Sequence, residues 1–237
     1  MILQVTIMTD SLRIPHIPKQ IFILLKRELL LEIRSKEQIT VMVIFALTSI
    51  LIFQFSFELR TGNVQIFLPG ILWISMLFAS SLSIDRSMTR DSQTGVIQGM
   101  LFTPVDPISI FISKVLANTL FLLALNLILL PAISLLLNTS LPNYQLLPVI
   151  VLGAIGLSAT GTIVSASLTN MKSRASLLPI ILFPLLFPVV LSSTTASGMI
   201  IDGYSWDEYS KWIGVLLSYD IIFIVTSSLI FSYAVEA

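Results

Sequence analysis

Apolar residues in this chain do not alternate with polar ones; they come in runs. Six stretches, 39–57, 67–84, 115–137, 146–168, 176–192 and 212–233, are almost continuously apolar. Each is close to the roughly 20 residues an α-helix needs to cross a bilayer core. The pattern predicts six membrane-spanning helices. Ahead of the first run the period changes: Phe22, Leu25, Leu29 and Ile33 recur at helical spacing, with Lys26, Arg27, Glu28, Glu32, Arg34 and Lys36 between them. Pro18 suits a first helical turn. Residues 18–37 therefore read as an amphipathic helix at headgroup level, basic residues near anionic lipid. Glu32 and Lys36 stand as an i,i+4 pair.

The second run stops at Asp85-Arg86, and a different pattern follows. Val96, Ile97, Met100 and Leu101 form an i, i+1, i+4, i+5 apolar stripe on a predicted short helix over 91–104. Arg90 and Asp91 mark its entry, Gly95 and Gly99 leave room for close contact, and Thr103-Pro104 ends it. A membrane helix leading into such a knuckle is a shape on which a water-soluble engine could push. The fourth run carries a ridge of small residues, Ala154, Ser158, Thr162 and Ala166, which suits close helix packing in lipid. The fifth contains Pro179, Pro184 and Pro188 and is expected to be kinked or partly unwound, with protein or water on part of its surface. In the sixth, Asp220 is expected to face protein as a polar lock, with Asn126 and backbone freed by the fifth-run prolines as partners; a gating or proton-linked role and a protonated bystander are the other readings. Tyr204, Trp206, Tyr209 and Trp212 near 193–211 read as an interfacial aromatic belt.

Composition sharpens the class. At 55% hydrophobic and 11% charged residues, there is too little polar surface for a soluble globule. The zero net charge is uninformative, but its distribution is not. With the N-terminus inside, only Arg60 and Lys211 among the thirteen Lys and Arg fall on outer segments, so both termini are expected in the cytoplasm. No basic region leads a short apolar core at the N-terminus, which argues against a signal peptide. Cysteine is absent, which excludes disulfides. None of the ten glycines precedes a lysine, so there is no phosphate-binding loop of the usual kind. The lone histidine, His16, is assigned no role in metal handling, and no metal-ligand cluster or nucleophile–base set appears. The chain is expected to bind no cofactor or metal directly, to contact no nucleic acid and to catalyse no reaction of its own.

Specific words in the sequence go further. Pro69-Gly70-Ile71-Leu72-Trp73, Arg90-Asp91 with Gly95, and the following Pro104 together resemble the CcmB family, the permease subunit of the cytochrome c maturation ABC system. Lys114, Leu178-Pro179, Pro184, Pro188 and the run Phe231–Glu236 are similar too, and the likeness extends from about Ile21 to the C-terminus. One position departs: Gln98 stands where the family usually has an acid. The resemblance implies an all-α ABC-2-type permease of six helices in the bacterial inner membrane. Its partners would be a cytoplasmic ATPase that binds the ATP, a second copy of itself, and a haem-handling membrane subunit. Arg90, Asp91, Gly95, Ile97, Gln98, Met100 and Pro104 would couple it to the ATPase, and Pro69, Pro179, Pro184 and Pro188 would break helices. Haem would either cross the membrane or be handed on as ATP hydrolysis releases a loaded chaperone. The lack of any His or Cys in a span favours the second, because haem iron normally takes an axial ligand. An ABC-2 permease for lipid, polysaccharide or drug, and a non-transporting structural subunit, are the alternatives.

Overall fold

Each apolar run folds as a helix in the computed structural model, which describes residues 16–61, 65–96, 99, 102–136, 144–169, 171 and 173–236. The described residues hold seven long helices and no strand: α1 (Ile17–Ser35), α2 (Glu37–Thr61), α3 (Leu68–Gln93), α4 (Pro107–Leu136), α5 (Leu146–Ser167), α6 (Arg174–Ile201) and α7 (Trp206–Glu236). All but α1 are long and apolar enough to cross a membrane. A single residue separates α1 from α2. Lys36 takes the left-handed conformation (φ 55°) and its N–H closes α1 onto the Glu32 carbonyl. The expected Glu32–Lys36 ion pair does not form among the described contacts, because the Glu32 carboxylate turns inward instead.

Helix α5 is the hub, packing against α3, α4, α6 and α7. Its ridge residues Ala154, Ser158, Thr162 and Ala166 are all buried. Its glycines are seats for side chains of neighbouring helices. A Cβ at Gly153 would overlap the Trp73 ring, one at Gly161 would meet Ile84, and one at Gly156 would lie 2.8 Å from Asp220 Oδ1 and 3.0 Å from Val189. In hydrocarbon, where apolar surface gains little from contact, such interlocking supplies the attraction. On the other flank, α2 packs on α3 and α4, and α1 lies along α4.

Several expected boundaries move, each for a local reason. Helix α3 does not stop at Asp85 but runs nine residues beyond Ile84, to Gln93. Its polar residues Ser87 and Asp91 turn inward with Met88, so the helix needs no apolar run to stay packed. Asp91 is thus in the last turn of a long helix and does not begin a short one. Helix α4 starts at Pro107, eight residues before Val115. Asp106 caps it, its Oδ1 accepting the Ile108 N–H at 2.9 Å, and proline suits the position after a cap. Helix α7 starts at Trp206 because Ser205 and Glu208 form a capping box, Glu208 Oε2 accepting from the Ser205 N–H at 2.8 Å and its hydroxyl at 2.9 Å.

The prolines do not break helices as expected. Pro69 lies in the first turn of α3, where its missing N–H has no helical partner to lose. Pro179, Pro184 and Pro188 lie inside α6, which stays helical throughout and is not unwound. Beside them, the Tyr219 hydroxyl of α7 donates to the Leu185 carbonyl of α6 at 2.9 Å.

Candidate functional site

Three helix segments meet at the end of the bundle that carries the α3–α4 and α5–α6 connections. Helix α1 brings Arg27, Glu28 and Glu32, the last turn of α3 brings Arg90 and Asp91, and α4 brings Lys114. Glu28 and Glu32 are four apart and so share one face of α1, and that face lies against α4. The result is a buried cluster of three acids and three bases. Lys114 Nζ donates to Asp91 Oδ2 at 2.5 Å and lies 3.3 Å from Glu28 Oε1. Arg27 reaches Glu28 at 2.8 Å and Asp91 at 3.4 Å. Arg90 lies 3.4 Å from Glu28, 3.9 Å from Glu32 and 3.8 Å from Asp91. Glu32 is fully buried, and its Oε1 accepts the Ile39 N–H at 2.8 Å, which fixes the start of α2 as well.

Physically, this cluster is a joint. Buried ions need partners on every side, and a buried group that loses one typically costs the fold 3–5 kcal/mol. The six charges cancel, so no net charge is held in the low-dielectric interior. A layer of neutral polar groups lies beside it: Gln38 Nε2 donates to Ser83 Oγ and to Asn118 Oδ1 (3.1 Å), and Asn118 Nδ2 donates to Thr162 Oγ1 at 3.3 Å. At the same end, Arg174 at the start of α6 donates to the Asp85 carboxylate and carbonyl, both at 3.0 Å, and to Ser165 Oγ at 2.9 Å. Ions thus tie α1 and α4 to α3, and separately tie α6 to α3 and α5.

The turn that leaves the cluster is attached to α1 at both ends. At its start, Gly95 adopts φ +66°, a backbone state that favours glycine, just past the Thr94 cap of α3. Among the described residues, no atom lies within 4 Å of where a Cβ at Gly95 or Gly99 would stand, and turn geometry accounts for Gly95. Asp91, just upstream, is held by Arg27 of α1. At the far end the Asp106 N–H donates to Gln20 Oε1 of α1 at 3.0 Å. Between the start of α1 and Pro104–Pro107 lies an open hollow of about 510 Å³, lined also by His16, Ile17 and Gln20. Ile97, Gln98 and Met100 lie outside the described residues.

The two intramembrane polar residues are not partners. Asn126 Nδ2 donates to the Leu122 carbonyl at 3.0 Å and lies 3.2 Å from Met76 Sδ. Both Asp220 oxygens are buried and accept no hydrogen bond among the described residues. Its neighbour Tyr219 reaches the α6 backbone at the Leu185 carbonyl, a carbonyl that no proline frees, and its hydroxyl also lies 2.8 Å from Thr160 Oγ1. Among the described residues, Asp220 thus has no hydrogen-bonded partner to lock it. Near the other end, Trp73 of the LPGILW stretch is fully buried and donates to Ser197 Oγ of α6 at 2.9 Å.

Comparison with known proteins gives one family. A family model described as CcmB protein matches residues 19–237. Heme exporter protein B of Pseudomonas aeruginosa is 25% identical over 198 residues, spanning 82% of this chain and 87% of that protein. The protein of the same name from Rhodobacter capsulatus is 28% identical over 169 residues, 71% of this chain and 78% of its own. That from Haemophilus influenzae is 28% identical over 174 residues, 73% and 78% respectively.

Proposed function

The chain belongs to the CcmB protein family, and on that premise we propose that it is the membrane permease on which a separate cytoplasmic ATPase acts during cytochrome c maturation. The name of its relatives, Heme exporter protein B, supports haem as the species handled. The excess of Lys and Arg at the end holding the ion cluster supports a cytoplasmic placement of that end. The ATPase engages the turn between α3 and α4, over Gly95, Ile97, Gln98, Met100 and Pro104, and the hollow beside it receives part of its surface. Arg90 and Asp91 do not touch the ATPase in this reading. They pass its movement inward.

The observation that carries the reading is the double attachment of this turn to α1, through Asp91–Arg27 on one side and Asp106–Gln20 on the other. A push on the turn moves the end of α3, the start of α4 and α1 together, because the buried charges resist separation. A soluble motor can thus shift three helices by touching one loop. The test introduces a charge into the turn, as Ile97→Asp or Met100→Asp. The permease should insert at normal levels, co-purified ATPase should fall several-fold, and holocytochrome c should be lost. Normal recovery of both ATPase and cytochrome would overturn the proposal.

A further inference from the structure

Helix α1 sorts its charges by side. Gln20, Glu28 and Glu32 face the bundle and are buried, and Arg27 joins them in the ion cluster. Lys19, Lys26 and Arg34 stand exposed, and among the described residues none of these three forms an ion pair. The apolar residues are sorted as well. Leu25 and Leu29, expected on one stripe with Phe22 and Ile33, pack against the core instead. Phe22, Ile23, Leu30 and Ile33 turn outward, Phe22 and Ile33 being 66% and 64% exposed. At about 3.6 residues per turn, the three bases and these four apolar residues fall within roughly one third of the helix circumference. That arc holds no acid. Its depth follows from what the opposite side of α1 touches, namely the last turn of α3 through Asp91 and the first two turns of α4 through Asp106 and Lys114. The arc thus lies where the spans end, at the level of headgroups. Along α2, just beyond the Lys36 turn, the large outward side chains Ile44, Ile52 and Phe55 are apolar, as contact with acyl chains requires.

We infer that the outward face of α1 binds anionic phospholipid, with headgroup phosphates on Lys19, Lys26 and Arg34 and with Phe22, Ile23, Leu30 and Ile33 set between the lipids. Interleaved bases and large apolar side chains suit that surface, because the cations meet phosphate while their stems and the apolar residues lie lower, against acyl chains. A second copy pairing α1 against α1 would set three bases on three bases. The hollow beside the α3–α4 turn is lined by Ile17 and Gln20, which fall on the other side of α1, so the arc is separate from it. Lipid then holds α1 from outside while the buried cluster holds it from inside. The inference rests on the membrane placement of the bundle and is independent of how the ATPase engages the turn.

The test takes the whole complex from native membranes in mild detergent and reads the retained lipid by native mass spectrometry. Phosphatidylglycerol should stay bound, and the combined variant Lys19→Gln, Lys26→Gln and Arg34→Gln should retain several-fold less of it, with phosphatidylethanolamine unchanged. Arg86→Gln, which removes another exposed base, should retain as much as the unaltered protein. A second measurement leaves every charge in place: a photoreactive residue at Phe22 or Leu30 in native membranes should give lipid adducts. Equal phosphatidylglycerol on the triple variant and the unaltered protein overturns the inference, and so does an equal loss from Arg86→Gln. Adducts confined to the ATPase, to another membrane subunit or to a second copy of this chain overturn it as well. ATPase recovered from the same membranes reports separately on the coupling proposal, so either can fail alone.

Discussion

Lys114 is 2% exposed and lies between two carboxylates, within 3.3 Å of both. Lys114→Met strands Asp91 and Glu28 with less positive charge than they need, and the expected loss is about 3–5 kcal/mol of stability. Adding Asp91→Leu to it removes one acid for the one lost base and leaves Arg27 and Arg90 facing Glu28 and Glu32. The double variant should therefore regain much of the loss. Monodisperse permease surviving graded heating in detergent is the measurement, and a double variant no more stable than Lys114→Met would contradict the neutral-cluster account. None of this partnership is visible in sequence. Asp91 and Lys114 stand out only through resemblance to a family, and the span of 23 residues between them crosses a turn. Glu28 and Glu32 looked like the polar side of a surface helix. Spacing shows that they share a face of α1, but not that the face points inward.

At the scale of helices, sequence was most legible where composition is extreme and least where polar residues are buried. Six runs became six helices, but α3 was cut short because Asp85, Arg86, Arg90 and Asp91 ended the apolar run while the helix continued. Two starts had readable signals that the apolar count overrode. Asp106-Pro107 is a cap followed by a first-turn proline, and Ser205-x-x-Glu208 is a capping box. The small-residue ridge of α5 was legible, whereas the identity of its guests was not: Trp73, Ile84 and Val189 come from two other helices. Gly153→Ala should force the Trp73 ring aside, weaken its bond to Ser197 and lower the yield of folded permease several-fold. Gly214→Ala, with open space around it, should leave yield unchanged or slightly raised, since alanine favours a helix by up to about 1 kcal/mol over glycine. Equal yields from the two variants would show that α5 can give way. Trp73 fluorescence is the finer readout, with Trp206 and Trp212 removed.

The molecule is tied by ions at the end that carries the α3–α4 connection, and the absence of cysteine makes the sidedness of its two ends simple to measure. Single replacements Tyr144→Cys and Lys211→Cys should react with a membrane-impermeant maleimide in intact cells, and Ser173→Cys only after the membrane is opened. The reverse pattern would invert the topology and move the ion cluster away from any cytoplasmic motor. The sidedness is expected from Lys and Arg counts alone, because such an expectation needs only composition. The joint could not be expected in that way, because it depends on contacts between residues as many as 86 positions apart. That separation also has a consequence in time. During synthesis Arg27, Glu28, Glu32, Arg90 and Asp91 all leave the ribosome before Lys114. Until it arrives, the five earlier members carry one more negative charge than positive, and burying them would leave a carboxylate without a partner. Helix α1 must therefore wait at the membrane surface while α2 and α3 insert, and the entry of α4 brings the missing cation. Closing the joint is a late step in biogenesis, and a chain stalled before residue 114 leaves α1 undocked.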